Sequence, residues 1–274
     1  MTRDEDTRRI GAELRRLRAG AGLTGQEAAR RSGMSQPKIS RLERGVNRAS
    51  VEDVETLCAT YRASTTDRDT LVGLVERLHR TVESAATIRR GGTHIKQAQI
   101  RRVEAAATEL RYFQPMTIPG LLQTAEFTRR IYGLSLENDA LVRAMQALAD
   151  RQRILYDQDK RLRFMLTEQS LRWRIAPPEV MATQLHHIAS LSTLATVEIA
   201  VIPADATMHE VPLNAWEAFD DDLVSVGLET ATMTFTDPGD IAHYRRLYEL
   251  LERSAVTGAD ARQLVTQLAH DHLN

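Results

Sequence analysis

The chain has 274 residues, and its 42% hydrophobic and 27% charged content is that of a soluble globular protein long enough for about two domains. No apolar run reaches the roughly 18 residues of a membrane span, and the polar, acidic start from Met1 to Asp6 does not read as a secretion signal. The single cysteine, Cys58, excludes an internal disulfide and reads as a packing residue, so a cytoplasmic protein is expected.

The net charge of −1 conceals a division along the chain. Residues 1–50 hold twelve Arg and Lys against six Asp and Glu, a net of +6. From Ile175 to Tyr244 there are eleven Asp and Glu and no Lys or Arg. The first of these segments suits a polyanion. The second would repel one and suits a basic partner or a small molecule.

The first expected helix carries Ile10, Leu14 and Leu17 at i, i+4, i+7 between faces holding Arg8, Arg9, Arg15, Arg16 and Arg18. The stretch from Thr24 to Gly45 then reads as two short helices and a tight turn. Thr24 and Glu27 form a T-x-x-E capping box, and Gly33 ends the first helix where a left-handed backbone is needed. Ser35 caps the second helix, Pro37 sits in its first turn, and Gly45 closes it. Ala29, Ile39 and Leu42 are expected to meet across the angle. Ser50 and Asp53 cap a further helix carrying Val51, Val54, Leu57 and Cys58.

This order of helices, with Leu23 ahead of the turn and Leu42-Glu43-Arg44-Gly45 at its end, resembles the Cro/phage-repressor (XRE-type) DNA-binding domain. An ordinary helical hairpin with a solvated basic face is the bland alternative, but caps, turn glycine and apolar spacing agree on the motif. The resemblance implies a recognition helix in the major groove of double-stranded DNA. Gln36 and Lys38 would contact bases, with Ser35, Ser40 and Arg41 nearby. Thr24, Gln26, Arg44 and Arg48 would meet phosphates. Gly25 stands where the family commonly has a polar residue.

Thr66 and Asp69 are expected to cap a helix through Leu71, Leu74, Val75 and Leu78. A hinge is expected at Arg89-Arg90-Gly91-Gly92, and a helix from Ile95 to Leu110. Pro115 and Pro119 keep the next stretch extended, and Leu121 opens a helix with Phe127 and Ile131. The segment Pro119-Gly120-Leu121-Leu122-Gln123-Thr124 resembles the start of the C-terminal domain of WhiJ-like, antitoxin-like actinobacterial regulators. The resemblance continues at Arg151-Gln152 and Leu155, at Thr167 to Trp173, and at Gln184-Leu185.

Leu162 to Leu166 and Val197 to Ile202 read as strands around a helix from Pro177 to Ser192. Three runs, Asn214 to Phe219, Leu223 to Leu228 and Thr232 to Phe235, read as an antiparallel meander with Asp220-Asp221-Asp222 as a turn. Helices follow from Asp237-Pro238 and after Thr257-Gly258. The fold class expected is an all-α helix-turn-helix domain over 1–75 and a helical linker over 76–111. An α+β domain with a small, mainly antiparallel sheet completes it over 112–274.

His186-His187, His209-Glu210, His243 and the Asp triplet offer neither metal-ligand spacing nor a catalytic pattern, so neither metal, cofactor nor enzymatic activity is expected. Trp173 and Trp216 fit core packing better than a pocket. The family resemblance favours a transcription regulator that binds its promoter and a small protein encoded nearby. The alternatives are a sensor for a small effector and a protein-binding adaptor without DNA. One helix-turn-helix reads few base pairs, so a homodimer is expected.

Overall fold

The computed structural model describes residues 3–84, 92–228 and 230–274, which form two compact units. The first comprises residues up to Thr81 with Thr234–Pro238, and the second the remainder. Of the expected hinge, residues 89–91 lie outside the described residues.

The first unit is a helical bundle: α1 (Arg3–Gly20), α2 (Gly25–Ser32), α3 (Gln36–Glu43), α4 (Val51–Tyr61) and α5 (Thr65–His79). Its core is the apolar stripe the periodicity marks out, Ile10, Leu14 and Leu17 against Ile39, Leu42, Val54, Leu57 and Cys58. The small residue inside the α2–α3 angle is Ala28, fully buried, whereas Ala29 only flanks the core. The cap of α5 also differs from expectation. Ser64 accepts from the Asp67 N–H at 3.1 Å, two residues before the expected pair at Thr66 and Asp69. Gly11 fixes how closely α1 approaches the end of α3: a Cβ there would lie 2.5 Å from the Leu42 carbonyl oxygen.

The second unit contains α6 (Thr93–Ala106), β2 (Glu109–Gln114), α7 (Ala125–Tyr132), α8 (Asn138–Gln152), β3 (Arg161–Thr167), α9 (Glu168–Arg172), α10 (Pro178–Leu191) and β4 (Val197–Ile202). The meander β5 (Trp216–Phe219), β6 (Leu223–Gly227) and β7 (Ala231–Phe235) follows, then α11 (Pro238–Glu252), β8 (Val256–Thr257) and α12 (Gly258–Leu273). With β1 (Arg80–Ser84), the strand order is β1-β7-β6-β5-β2-β3-β4-β8.

The α+β class is as expected, but the sheet is larger and mixed, because β2, β3 and β4 run parallel. Parallel neighbours need long crossovers, which α7–α8 and α9–α10 supply. The strand that makes this centre is β2. The expected helix to Leu110 instead stops at Ala106, and Leu110 opens onto a strand whose residues alternate between the two faces. Leu110, Tyr112, Phe164, Leu166, Ile199 and Val201 form one core with Met181, Leu185 and Ile188 of α10 and Val265 and Leu268 of α12. Phe113 and Trp216 pack on the opposite face, where the Trp216 ring lies 5.8 Å from that of Tyr248.

Candidate nucleic-acid interface

The helix-turn-helix is built by its caps. Thr24 accepts from the Glu27 N–H at 3.2 Å while the Glu27 carboxylate accepts from the Thr24 N–H at 2.8 Å, a complete capping box. The Thr24 hydroxyl also donates to Glu27 at 2.8 Å, so its one proton is already committed. These bonds hold Glu27 below its ordinary pKa, the backbone N–H of Thr24 first and its hydroxyl second. Gly33 stands at φ 72, the left-handed turn between the helices, and Ser35 accepts from the Lys38 N–H at 3.3 Å to start α3.

Around α3, Ile39 and Leu42 face the core, which leaves Pro37, Arg41 and Arg44 on the opposite side and Ser40 half-buried beside them. The two arginines lie along the helix. Arg41 Nε donates to the Pro37 carbonyl at 3.3 Å and Arg44 Nε to the Ser40 carbonyl at 3.2 Å, which aligns both guanidinium groups. Gln26, Ser35, Gln36 and Arg48 are exposed. Gln36 lies over Gly25, where an added Cβ would sit 3.5 Å from its Nε2, so the glycine gives the amide room.

Lys38 is placed differently from its neighbours. Its Nζ is 2.6 Å from the Asp53 carboxylate on α4, which also caps the Ser50 N–H. A base contact by Lys38 therefore requires this pair to open. Of the other basic residues, Arg18 turns inward onto Glu43 and Arg16 pairs with Glu13 and Asp67. With these acids engaged, Arg30 and Arg31 at the end of α2, Arg41, Arg44 and Arg48 are exposed and form no ion pair among the described residues. Arg30 and Arg31 sit in the last turn of α2, where Arg31 lines a recess with Arg16, Thr60 and Asp67 and away from the exposed face of α3.

In the second unit the acidic run does not form an uninterrupted acidic face. Glu198 is held by Arg161 and Arg163 at 2.6 and 2.9 Å, and Asp221 lies 3.3 Å from Arg245. Burial raises the pKa of Glu198, but the hydrogen bond from Arg161 and the charge of Arg163 bring it below the usual range. Asp220, at φ 48, accepts from the N–H groups of Thr108 and Glu109 and so anchors the start of β2 as well as forming a turn. Basic residues outside the counted segment, brought in by neighbouring strands and helices, supply the neutralisation.

The segments from Pro119 to Thr124 and at Arg151-Gln152 are structural clamps. The Gln184 amide donates to the Leu122 carbonyl at 2.6 Å and accepts from the Thr124 N–H at 2.7 Å. Gln152 donates to the carbonyls of Gly120 and Gln123 at 3.0 and 2.7 Å. Trp173 is partly exposed, and Trp216 is buried with its indole N–H unpaired among the described residues. The His186 and His270 rings meet edge to face, and no group of three His, Cys, Asp or Glu side chains suited to a metal ion occurs among the described residues. Among those residues no helix is long and apolar enough to cross a membrane.

No curated protein matches the chain. Among solved structures, NucT from Helicobacter pylori aligns at 11% identity with a TM-score of 0.37, covering 65% of this chain and 98% of that one. The phospholipase D family member Nuc from Salmonella typhimurium gives the same identity and TM-score, over 65% of this chain and 97% of its own. TrmBL2, titled an archaeal chromatin protein with a novel mode of DNA binding, aligns at 11% identity and a TM-score of 0.35, over 74% of this chain and 66% of that one. Likeness at this level carries no argument about activity. Residues 9–71 match the family described as a helix-turn-helix domain, which agrees with the capped α2–α3 geometry and makes the chain a DNA-binding regulator. Through residues 97–267, which take in most of the second unit, the chain belongs to the family described as Domain of unknown function (DUF5753).

Proposed function

We propose that the protein is a sequence-specific transcription regulator that lays α3 in the major groove. The observation that carries this reading is the capped helix-turn-helix with Arg41 and Arg44 exposed along α3, beside Gln36 at the start of that helix. Arginine can pair with guanine or with phosphate, and glutamine with adenine in two places. Gln36, Ser35, Ser40 and Arg41 are the base-reading group. Gln26, Arg44 and Arg48 hold phosphates, with Thr24 placing the helix N-terminus toward the backbone. Lys38 joins the readers once Asp53 releases it. The protein acts in the cytoplasm as a homodimer on two half-sites about 34 Å apart, and its role is binding, not catalysis.

Two readings divide the second unit. The family resemblance favours a small protein partner encoded nearby. A cavity under α6 favours a small-molecule effector instead, because its polar lining offers a ligand fixed hydrogen-bonding groups. Either partner must bind the DNA-competent and DNA-incompetent forms with different affinity.

The test is to recover and sequence the genomic fragments that the purified full chain retains, then titrate them in gel shifts. Gln36→Ala should lower affinity for the recovered operator by about 1–3 kcal/mol and relax preference at one base position. Unchanged affinity for operator and random duplex alike would remove α3 from the groove and leave the adaptor reading.

A further inference from the structure

The sheet face beneath α6 holds a carboxyl group with no hydrogen-bond or ion-pair partner among the described residues. Glu217 on β5 is registered against Tyr112 of β2 and Ser225 of β6, so the three share one face. Behind them, Arg151 of α8 is fully engaged. Its Nε donates to Glu104 at 2.9 Å, its Nη2 donates to the same carboxylate, and its Nη1 donates to Gln97. The Tyr112 hydroxyl donates to Glu104 at 2.8 Å and the Gln97 amide to the Tyr132 hydroxyl at 3.0 Å. Glu104 and Arg151 balance one charge against one. Glu217 is a second acid beside that pair, and no hydrogen bond or ion pair reaches its carboxyl group among the described residues.

Glu217 is half-buried, and a carboxylate partly withdrawn from water is stabilised by a partner or by taking up a proton. Here space is available, because Glu217 lines a cavity of about 430 Å³ together with Lys96, Ile100, Gln114, Ser225 and Thr232. That volume falls within the range of small-molecule sites, roughly 300–1,000 Å³. The lining combines the acid of Glu217 with the amine of Lys96 at the α6 side, an amide, two hydroxyls and the apolar side chain of Ile100. Three charged groups act on Glu217: Arg151 most strongly, then Glu104 on α6, then Lys96 on α6. The strongest of these, Arg151, is bound to others.

We infer that this cavity is a binding site for a small organic cation, an ammonium or amidinium on a short carbon skeleton, with Glu217 as its counter-ion. The charged head donates to the Glu217 carboxylate and to the oxygens of Gln114, Ser225 or Thr232, while the skeleton lies along Ile100. This deepens the effector reading and rests on it for its regulatory meaning. Binding is measured without DNA, so its failure and the failure of operator binding are separate results.

Burial, the largest influence, raises the Glu217 pKa to about 7, against which Arg151 and Lys96 act downward and Glu104 upward. Affinity for a cation should therefore be about tenfold lower near pH 6 than near pH 8. The probe is butylammonium chloride with the full chain in phosphate buffer, read as a shift in melting temperature and by calorimetric titration. Butanol serves as the uncharged control. The expected result is a shift with butylammonium that is larger near pH 8, absent with butanol, and lost in Glu217→Gln. Because the glutamine could disturb the fold, its own melting curve is recorded, and Ser225→Ala is tested alongside for a partial loss. Equal response to butanol and butylammonium, an unchanged response in Glu217→Gln, or no response to butylammonium would each overturn the assignment.

Discussion

The guanidinium of Arg18 grips both oxygens of the Glu43 carboxylate, Nε at 2.7 Å and Nη2 at 2.8 Å, while its Nη1 donates to the Leu23 carbonyl at 2.8 Å. Tyr61 adds a hydroxyl at 3.3 Å from Glu43. One arginine thus ties the end of α1 to the start of α2 and the end of α3. Breaking such a pair strands a poorly solvated charge, whereas replacing both partners does not. Arg18→Met should cost roughly 2–3 kcal/mol in urea unfolding, and Arg18→Met with Glu43→Leu should recover most of the loss. The salt dependence of DNA binding should match the wild type in Arg18→Met. A shallower slope would mean that Arg18 touches phosphate.

Lys38 and Asp53 set up the opposite test, because their pair occupies the start of α3, the helix proposed to read DNA. Asp53→Asn retains an acceptor for the Ser50 N–H while removing the counter-charge. Its expected effect is stronger binding to the operator, because the freed Lys38 can reach a base edge. Lys38→Ala should then cost more in the Asp53→Asn background than alone. Fluorescence anisotropy across roughly 50–200 mM salt checks both statements. An additive pair would leave Lys38 outside the interface.

Asp220 is expected to matter far more than the two acids after it. Asp220→Ala leaves the N–H groups of Thr108 and Glu109 without their acceptor and places alanine at φ 48, so a loss of about 2–3 kcal/mol is expected. Asp220→Asn should lose less, since asparagine tolerates that backbone and keeps a carbonyl oxygen. Asp221→Ala should fall within about 0.5 kcal/mol of the wild type, because its link to Arg245 is exposed. Equal unfolding midpoints for the two alanine variants would contradict the anchoring role.

The raised pKa of Glu217 also fixes a pH dependence of stability. The folded state keeps this proton up to about 7, whereas the unfolded chain releases it near the ordinary glutamate value of 4.5. The associated stability is present in full below the lower value and is lost as pH rises through the upper one. Glu217→Gln should therefore flatten the pH profile and raise stability near pH 8 by on the order of 2–3 kcal/mol, with little change near pH 4. Thermal melts across that range provide the check. An equal gain at both ends would point to a packing effect instead.

The capped α2–α3 unit was legible because its signals are local: Thr24 with Glu27, Gly33, and Ser35 with Pro37 all act within four residues. The helices and most strands of the second unit were legible for the same reason. β2 was not. Tyr112, Phe113 and the prolines that follow read as an extended connection, and only pairing with β3 and β5 shows them to be a central strand. The Lys38–Asp53 and Glu198–Arg163 pairs were hidden by sequence distance, as was the clasp of Gln184 on Thr124. The acidic run misled because charge counted along the chain takes no account of which strands lie side by side.

The central place of β2 also dictates an order of assembly during synthesis. The contacts of α1 to α5 close within the first 79 residues, so that bundle can form while most of the chain is still unmade. Leu110 must wait for Leu162 on one side and for Phe219 on the other before its strand is paired on both edges. Until then β2 presents an open hydrogen-bonding edge with Tyr112 and Phe113 uncovered, the stage at which the nascent protein is most open to aggregation.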